Sequence, residues 1–424
     1  MNKRFRIISA LLAATLSMSI TLTANATQPK NNQNTQSSQS NSVIKVSTVA
    51  DLNNLRDRSN NGETFEGKTI ILENDINITK DGTKDGEPVE FKSIFKCLDL
   101  AEYNDDVGFK GIFDGNGKTL HFNATNSNIF GTIGKGGVIK NLKITGRFEG
   151  DLDGAIMASS NSGTIDNCQM NVTAICTTVS AVGVCNNNSK HGTIQNCEVK
   201  GNFSTNDMSC TGICNLNWGT IKSCKVSGKL TNCINLTDKE YESFMVPETG
   251  GIASFNIGLI KNCQVEAELQ SVYEGKFEGS AGGVVSTNNG LIENSTFSGT
   301  IAGEYSGGIT SANYGIVKSC KAINAKIEGP RAAEFTWLNM WCDCEENEGK
   351  YSCKYDTYEA IQNQPLGVIE NCEFEGTVIN SKPKRIAAFE NVLNEINLVP
   401  QIINCKINGK NINRETDNWH KGDK

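Results

Sequence analysis

The sequence predicts an all-β fold, a right-handed parallel β-helix solenoid of about nine coils with an N-terminal helical cap and a C-terminal cap. Three observations carry this. An Asn/Ser–Cys step recurs, with its anchor at Leu142, Cys168, Cys197, Cys224, Cys263, Ser295, Cys320, Cys372 and Cys405. The gaps of 26, 29, 27, 39, 32, 25, 52 and 33 residues set a base period near 26, lengthened by insertions. An aliphatic residue stands three before every anchor, from Ile139 and Ile165 to Ile369 and Ile402, and an apolar one two after it, such as Ile144, Val199 or Phe374. The density of Asn, Gly and β-branched residues opposes helical repeats. A pattern that repeats per coil rather than per hairpin opposes a β-sandwich.

Each coil is read as short strands and bends. Strict alternation cannot turn Ile, Cys and the following apolar residue all inward, because Ile and Cys are three apart. A left-handed bend at the intervening Asn or Ser allows it, and Asn tolerates that conformation best after Gly. The bend column holds Asn141, Asn167, Asn196, Ser223, Asn262, Asn294, Ser319, Asn371 and Asn404, whose amides are placed to bond from coil to coil. A second column, Asn161, Asn188, Asn217, Asn256, Asn288 and Asn313, ends a turn near a Gly. A third short strand runs ahead of it, as in Gly251-Ile252-Ala253. Nine coils about 4.8 Å apart make a rod about 40 Å long, with the right-handed sense of parallel crossovers.

The exposed ends of such a rod need covers. In KVSTVADLNNLRD, 46–58, Val49, Leu52 and Leu55 recur at helical spacing behind Ser47 and Thr48 as N-cap candidates. KTIILENDIN, 68–77, reads as the strand that starts the stack, and FKGIFDGNGKTL, 109–120, as strand, tight turn and strand. Residues 383–424 form the last coil and cap, with a short helix over 385–396. The domain plan is a signal peptide over 1–26, a polar disordered leader over 27–43, the N-terminal cap and first coils over 44–127, and the repeats over 128–382 with an insertion at 328–366.

The segments TVADLNNL, GKTIILENDINI, FKGIFDGNGKTLHF and NIFGTIGKGGVIKNLKITG, with the later GGI…NC…G coils, resemble bacterial secreted and surface β-helix proteins with GLUG-type repeats. The resemblance covers most of 46–330. It implies the β-helix fold and an adhesin-like surface role. No LPxTG-like sorting motif or wall-binding repeat accompanies it.

Composition narrows the setting. Lys3, Arg4 and Arg6 precede an apolar run that ends at Ala24-Asn25-Ala26, the pattern of a secretory signal peptide. An uncleaved anchor is the alternative. No second long apolar run follows, so no transmembrane segment is expected after cleavage. The chain is expected to be secreted or displayed on a bacterial surface, as a monomer. A net charge of −7 with a pI near 5.3 opposes nucleic acid as a partner.

The anchor column Cys168, Cys197, Cys224, Cys263, Cys320, Cys372 and Cys405, with its bend partners Asn167, Asn196 and Asn262, reads as a structural ladder of buried thiols. Ser295 and Leu142 substitute within it, which metal ligation would not allow. Strand spacing exceeds the roughly 3.8 Å between Cβ atoms that a disulfide prefers. Only three His occur, and no paired CxxC is present, so neither a metal nor any other cofactor is expected. So many unpaired thiols in a secreted chain suit an anoxic host. Cys342, Cys344 and Cys353 leave the register, and one disulfide among them is an open possibility.

Function on a regular rod is expected in its insertions, 231–249, 270–280 and 328–366. Aromatic and acidic residues gather there, and Trp337, Trp341, Tyr351, Tyr355, Tyr241 and Tyr273 are the candidate binding residues. Such side chains give large contact area for a glycan or an extracellular protein; the plainer reading has them packing the insertions onto the rod. No catalytic residue is singled out. Polysaccharide hydrolysis needs two carboxylates about 5–9 Å apart, and the strand columns carry Ile, Ala, Cys and Thr instead. A non-catalytic binding or adhesion module is the expected function. A polysaccharide-active lyase or hydrolase and a purely structural surface rod are the alternatives. Calcium at DGTKDGEP, 81–88, is a further possibility, although no bidentate Glu follows at the required distance.

Overall fold

In a computed structural model, the described residues are 42–97, 107–125, 128–150, 155–177, 180–206, 209–234, 247–273, 279–339, 345–347, 350–352, 367–380 and 401–414. They form a right-handed parallel β-helix. One helix, Val49–Asn60, stands near its start. Thr48 accepts from the Asp51 amide, and Asp51 bonds back to the Thr48 amide. This reciprocal pair satisfies donors that the first turn leaves open. Leu52 and Leu55 then sink into the core at 1% exposure each.

The bend read from sequence is the mechanical centre of each coil. All nine residues of the bend column, seven Asn and two Ser, have φ between 49° and 56°. On one side of the bend lie short strands such as Thr193–Gln195 and Leu259–Lys261. Their central residues stack in register, with Ile165 on Ile139, Ile194 on Ile165, Ile221 on Ile194 and Ile260 on Ile221. On the other side run strands such as Gln169–Cys176 and Gln264–Tyr273. They stack Met170, Val199, Val226, Val265 and Phe297. Every one of these apolar residues is at most 3% exposed.

Six successive coils hold four strands each rather than three. The strand expected at Gly251-Ile252-Ala253 starts only at Ala253, with Gly251 and Ile252 in a bend before it. Its column forms an eight-stranded sheet among the described residues. A further strand precedes each bend: Ala181–Val182, Ser209–Thr211, Glu248–Gly250, Ser280–Gly282, Tyr305–Gly307 and Arg331–Ala333. These form a separate six-stranded parallel sheet. Sequence periodicity did not resolve them, because two or three residues are too few to alternate.

Other boundaries also move. A first strand, Ser42–Val46, pairs with Lys68–Leu72 and so begins inside the segment read as leader. The stretch 68–77 breaks into Lys68–Leu72 and Ile76–Ile78. Residues 328–339 are regular coil: Lys321–Gly329 ends there, and Arg331–Ala333 and Thr336–Asn339 join the two smaller sheets. At the far end, Gln401–Ile407 stacks on Val368–Glu370, and Lys410–Arg414 folds back antiparallel on it. That hairpin occupies the edge where a further parallel coil would add. The expected helix at 385–396 lies outside the described residues.

Candidate functional site

The two ladders differ in what they do. Cys168, Cys197, Cys224, Cys263, Cys320, Cys372 and Cys405 are free thiols at 0–1% exposure. Each sends its Sγ to the carbonyl two residues back, at 3.2–3.5 Å. Ser295 makes the same bond to Glu293 at 3.0 Å. From Cys168 onward the column therefore holds a small residue with a donor, which explains why Ser replaces Cys; Leu142 at its start fills the same buried place without one. Cys185 and Cys214 repeat the device forward, to the carbonyls of Asn187 and Leu216. Burial pushes the Cys214 thiol up to about 12, and Cys372 is raised by burial and by its thiol neighbours Cys320 and Cys405.

The continuous amide ladder is the second Asn column. Asn161, Asn188, Asn217, Asn256 and Asn288 each donate to the next Asn at 2.7–2.8 Å, and all are fully buried. In the bend column, Asn167 donates to Asn141 at 2.8 Å, but Asn196 donates to Asp166. Asn167, Asn196 and Asn262 are exposed, so their chief role is the positive φ.

Of the aromatic candidates, Trp337 is placed in detail. It lies half-buried on Thr336–Asn339, 6.1 Å from the Tyr305 ring. The Arg331 guanidinium sits 4.9 Å from the Tyr305 centroid and 6.0 Å from that of Trp337. Arg331 is held by an ion pair with Glu304 and a hydrogen bond to the Tyr305 hydroxyl. The buried Trp337 Nε1 finds no acceptor. Tyr273 ends a long strand opposite Ile234, and Tyr351 lies opposite Glu346 in a two-stranded antiparallel ribbon. Trp341, Tyr355 and Tyr241 lie outside the described residues, as do Cys342, Cys344 and Cys353.

Trp337 belongs to a larger arrangement that the sequence did not reveal. Register places Ser209, Glu248, Ser280, Tyr305 and Arg331 in one outward column of the six-stranded sheet. A facing column on the eight-stranded sheet holds Ser254, Ser286, Ser311 and Trp337. In three coils the two touch across the intervening bend, each time at an offset of six. Ser254 Oγ donates to Glu248 Oε2, Ser311 Oγ donates to the Tyr305 carbonyl at 2.8 Å, and Arg331 faces Trp337. Outward side chains of adjacent sheets meet only where the corner is concave.

The Glu248 carboxyl also accepts from Thr287 Oγ1 at 3.5 Å, while Ser209 and Ser254 share a bond of 3.2 Å. By area the residue as a whole is half-buried, but its carboxyl is enclosed by these hydroxyls, with no cation paired to it among the described residues. Desolvation raises it from 4.5 to about 7, against the pull of the Ser254 and Thr287 bonds. The one signal that could have found it is the residue two before the recurrent Gly.

Elsewhere, a shallow cleft of about 350 Å³ follows the glycine column Gly146, Gly201 and Gly228. Asp81 in the suspected calcium loop accepts from the Thr83 amide and hydroxyl, so it closes a turn. No cluster of three metal-capable side chains occurs among the described residues. None of their helices is long and apolar enough to cross a membrane. No family model matches the chain, and neither a curated protein nor a solved structure matches it.

Proposed function

We propose that the chain is a non-catalytic binding module, secreted or displayed on a bacterial surface, that holds a glycan or an extracellular protein on the concave corner. The observation that carries this is the Tyr305–Arg331–Trp337 cluster, where two half-buried aromatic rings and a fixed guanidinium close one end of a polar corner. Rigid aromatics of this kind supply contact area at small entropic cost. The resemblance to GLUG-type surface proteins and the signal-like N-terminus belong with the same reading.

One observation favours the polysaccharide-active alternative. A carboxyl that titrates near 7, as Glu248 does, is what a general acid requires. Among the described residues, the other carboxyl of this corner, Glu304, is committed to Arg331. An array of glycans and extracellular-matrix proteins, followed by product analysis of every hit, tests the proposal. Binding without new reducing ends or unsaturated products is expected. Release of either product would overturn the non-catalytic reading, and an array without hits would leave only a structural rod.

A further inference from the structure

We propose that the concave corner takes an uncharged linear polysaccharide laid parallel to the rod axis, with Glu248 at one end of its path and Trp337 at the other. This rests on the binding-module reading and adds the ligand class and the direction in which it lies. The direction follows from register. Glu248, Ser280, Tyr305 and Arg331 stand on four successive coils in a single column. At about 4.8 Å per coil they span about 14 Å. A path that is straight, and repeats a polar rung at every coil, fits a ligand that is itself a linear repeat.

The ligand class follows from charge and chemistry. The corner cation, Arg331, is neutralised by Glu304, so an anionic chain would have to displace a carboxylate already in place. Glu248 is enclosed by hydroxyls, with no positive partner among the described residues, so a cationic ligand would need to ionise it in a desolvated site. Ser209, Ser254, Ser286 and Ser311 are at most 4% exposed, so what a ligand meets is the Ser280 hydroxyl, with two aromatic faces at one end. Sugars carry the complement: hydroxyls that both donate and accept, and apolar ring faces that lie on Trp or Tyr. Three positions along the path, Ser280, Tyr305 and Trp337, are only half-buried and so open to contact, while the enclosed Glu248 carboxyl marks the closed end.

Ser280 lies mid-path with its side chain outward, which makes it the place to block. The test is native affinity electrophoresis of the full chain in gels containing galactomannan or hydroxyethyl cellulose, against gels containing polygalacturonate or hyaluronan. The uncharged polymers should retard the wild-type protein and the acidic ones should not. Ser280→Trp should weaken retardation by about tenfold or more, and Lys225→Ala, exposed on the large sheet away from the corner, should leave it within about twofold. Ser280→Gln serves as a smaller plug, and should weaken retardation too, if the Trp variant does not fold. Retardation by the acidic polymers alone would overturn the ligand class while leaving a binding module. Unchanged retardation of a folded plugged variant would overturn the location. No retardation by any polymer, with protein hits on the array, would overturn the inference but not the module.

Discussion

Replacing Glu248 by Gln isolates the cost of an enclosed acid. The unfolded chain ionises this carboxyl near 4.5, whereas the folded chain holds its proton to about 7. Below pH 4.5 the group is neutral in both states and costs nothing. As pH rises from 4.5 through 7, the unfolded state releases its proton first, so stability falls and then levels off. That difference in pKa, discounted for the partial exposure of the residue, corresponds to roughly 2–3 kcal/mol. Gln keeps one acceptor oxygen, presents an NH2 donor where the neutral acid carries its hydroxyl, and carries no charge at any pH. The variant should therefore match the wild type at pH 4.5 and exceed it by about 2–3 kcal/mol at pH 8.5. Urea unfolding followed by circular dichroism at both pH values measures the difference, and taking the difference cancels every other carboxylate. A variant no more stable than wild type at pH 8.5 would refute the argument that the site is desolvated and lacks a cation.

Other consequences of the packing can be checked in the same way. Glu63, held down to about 2 by Arg58 and Lys68, should show the opposite slope: its contribution is present above 4.5 and fades as pH falls, and Glu63→Gln should remove it. Thiol titration in denaturant should find Cys168, Cys197, Cys224 and Cys263 free; finding them oxidised would contradict the ladder. Cys263→Ala should cost about 1–2 kcal/mol in urea unfolding, and Cys263→Ser less, because Ser restores the donor that Ser295 already supplies one coil on. Asn256→Ala breaks the bond from Asn217 and the bond to Asn288, and should cost about 2–4 kcal/mol. At Gly228, φ is 115° and a Cβ would meet the Gly201 carbonyl at 2.1 Å, so Gly228→Ala should cost about 2–3 kcal/mol.

What could be read without coordinates was whatever repeats at a fixed offset with a fixed residue type. The Ile–Asn–Cys step did so nine times, and its bend, its inward stack and its reduced thiols follow from the geometry of one coil. The concave corner repeats over fewer coils and with changing residues: Glu248, Ser280, Tyr305 and Arg331 share a register and no chemistry. Its contacts also depend on the angle between two sheets, which no single coil encodes. Glu248 meets Thr287, 39 residues away, only because an insertion separates two coils that stack. The aromatic signal was partly legible. Trp337 was visible as a residue outside the ladder register, but its partners Tyr305 and Arg331 lie in strands too short to recognise. The supposed start of its insertion at 328 proved to be regular coil.

The most direct measurement is the tryptophan emission of Trp337 during titration with a polysaccharide that retards the protein in the affinity gel. The chain carries four Trp, so the wild type is compared with Trp337→Phe and Trp218→Phe. If the corner holds the ligand, emission should change on titration in the wild type and in Trp218→Phe, and the change should vanish in Trp337→Phe. An undiminished change in Trp337→Phe would place the ligand elsewhere and contradict the account.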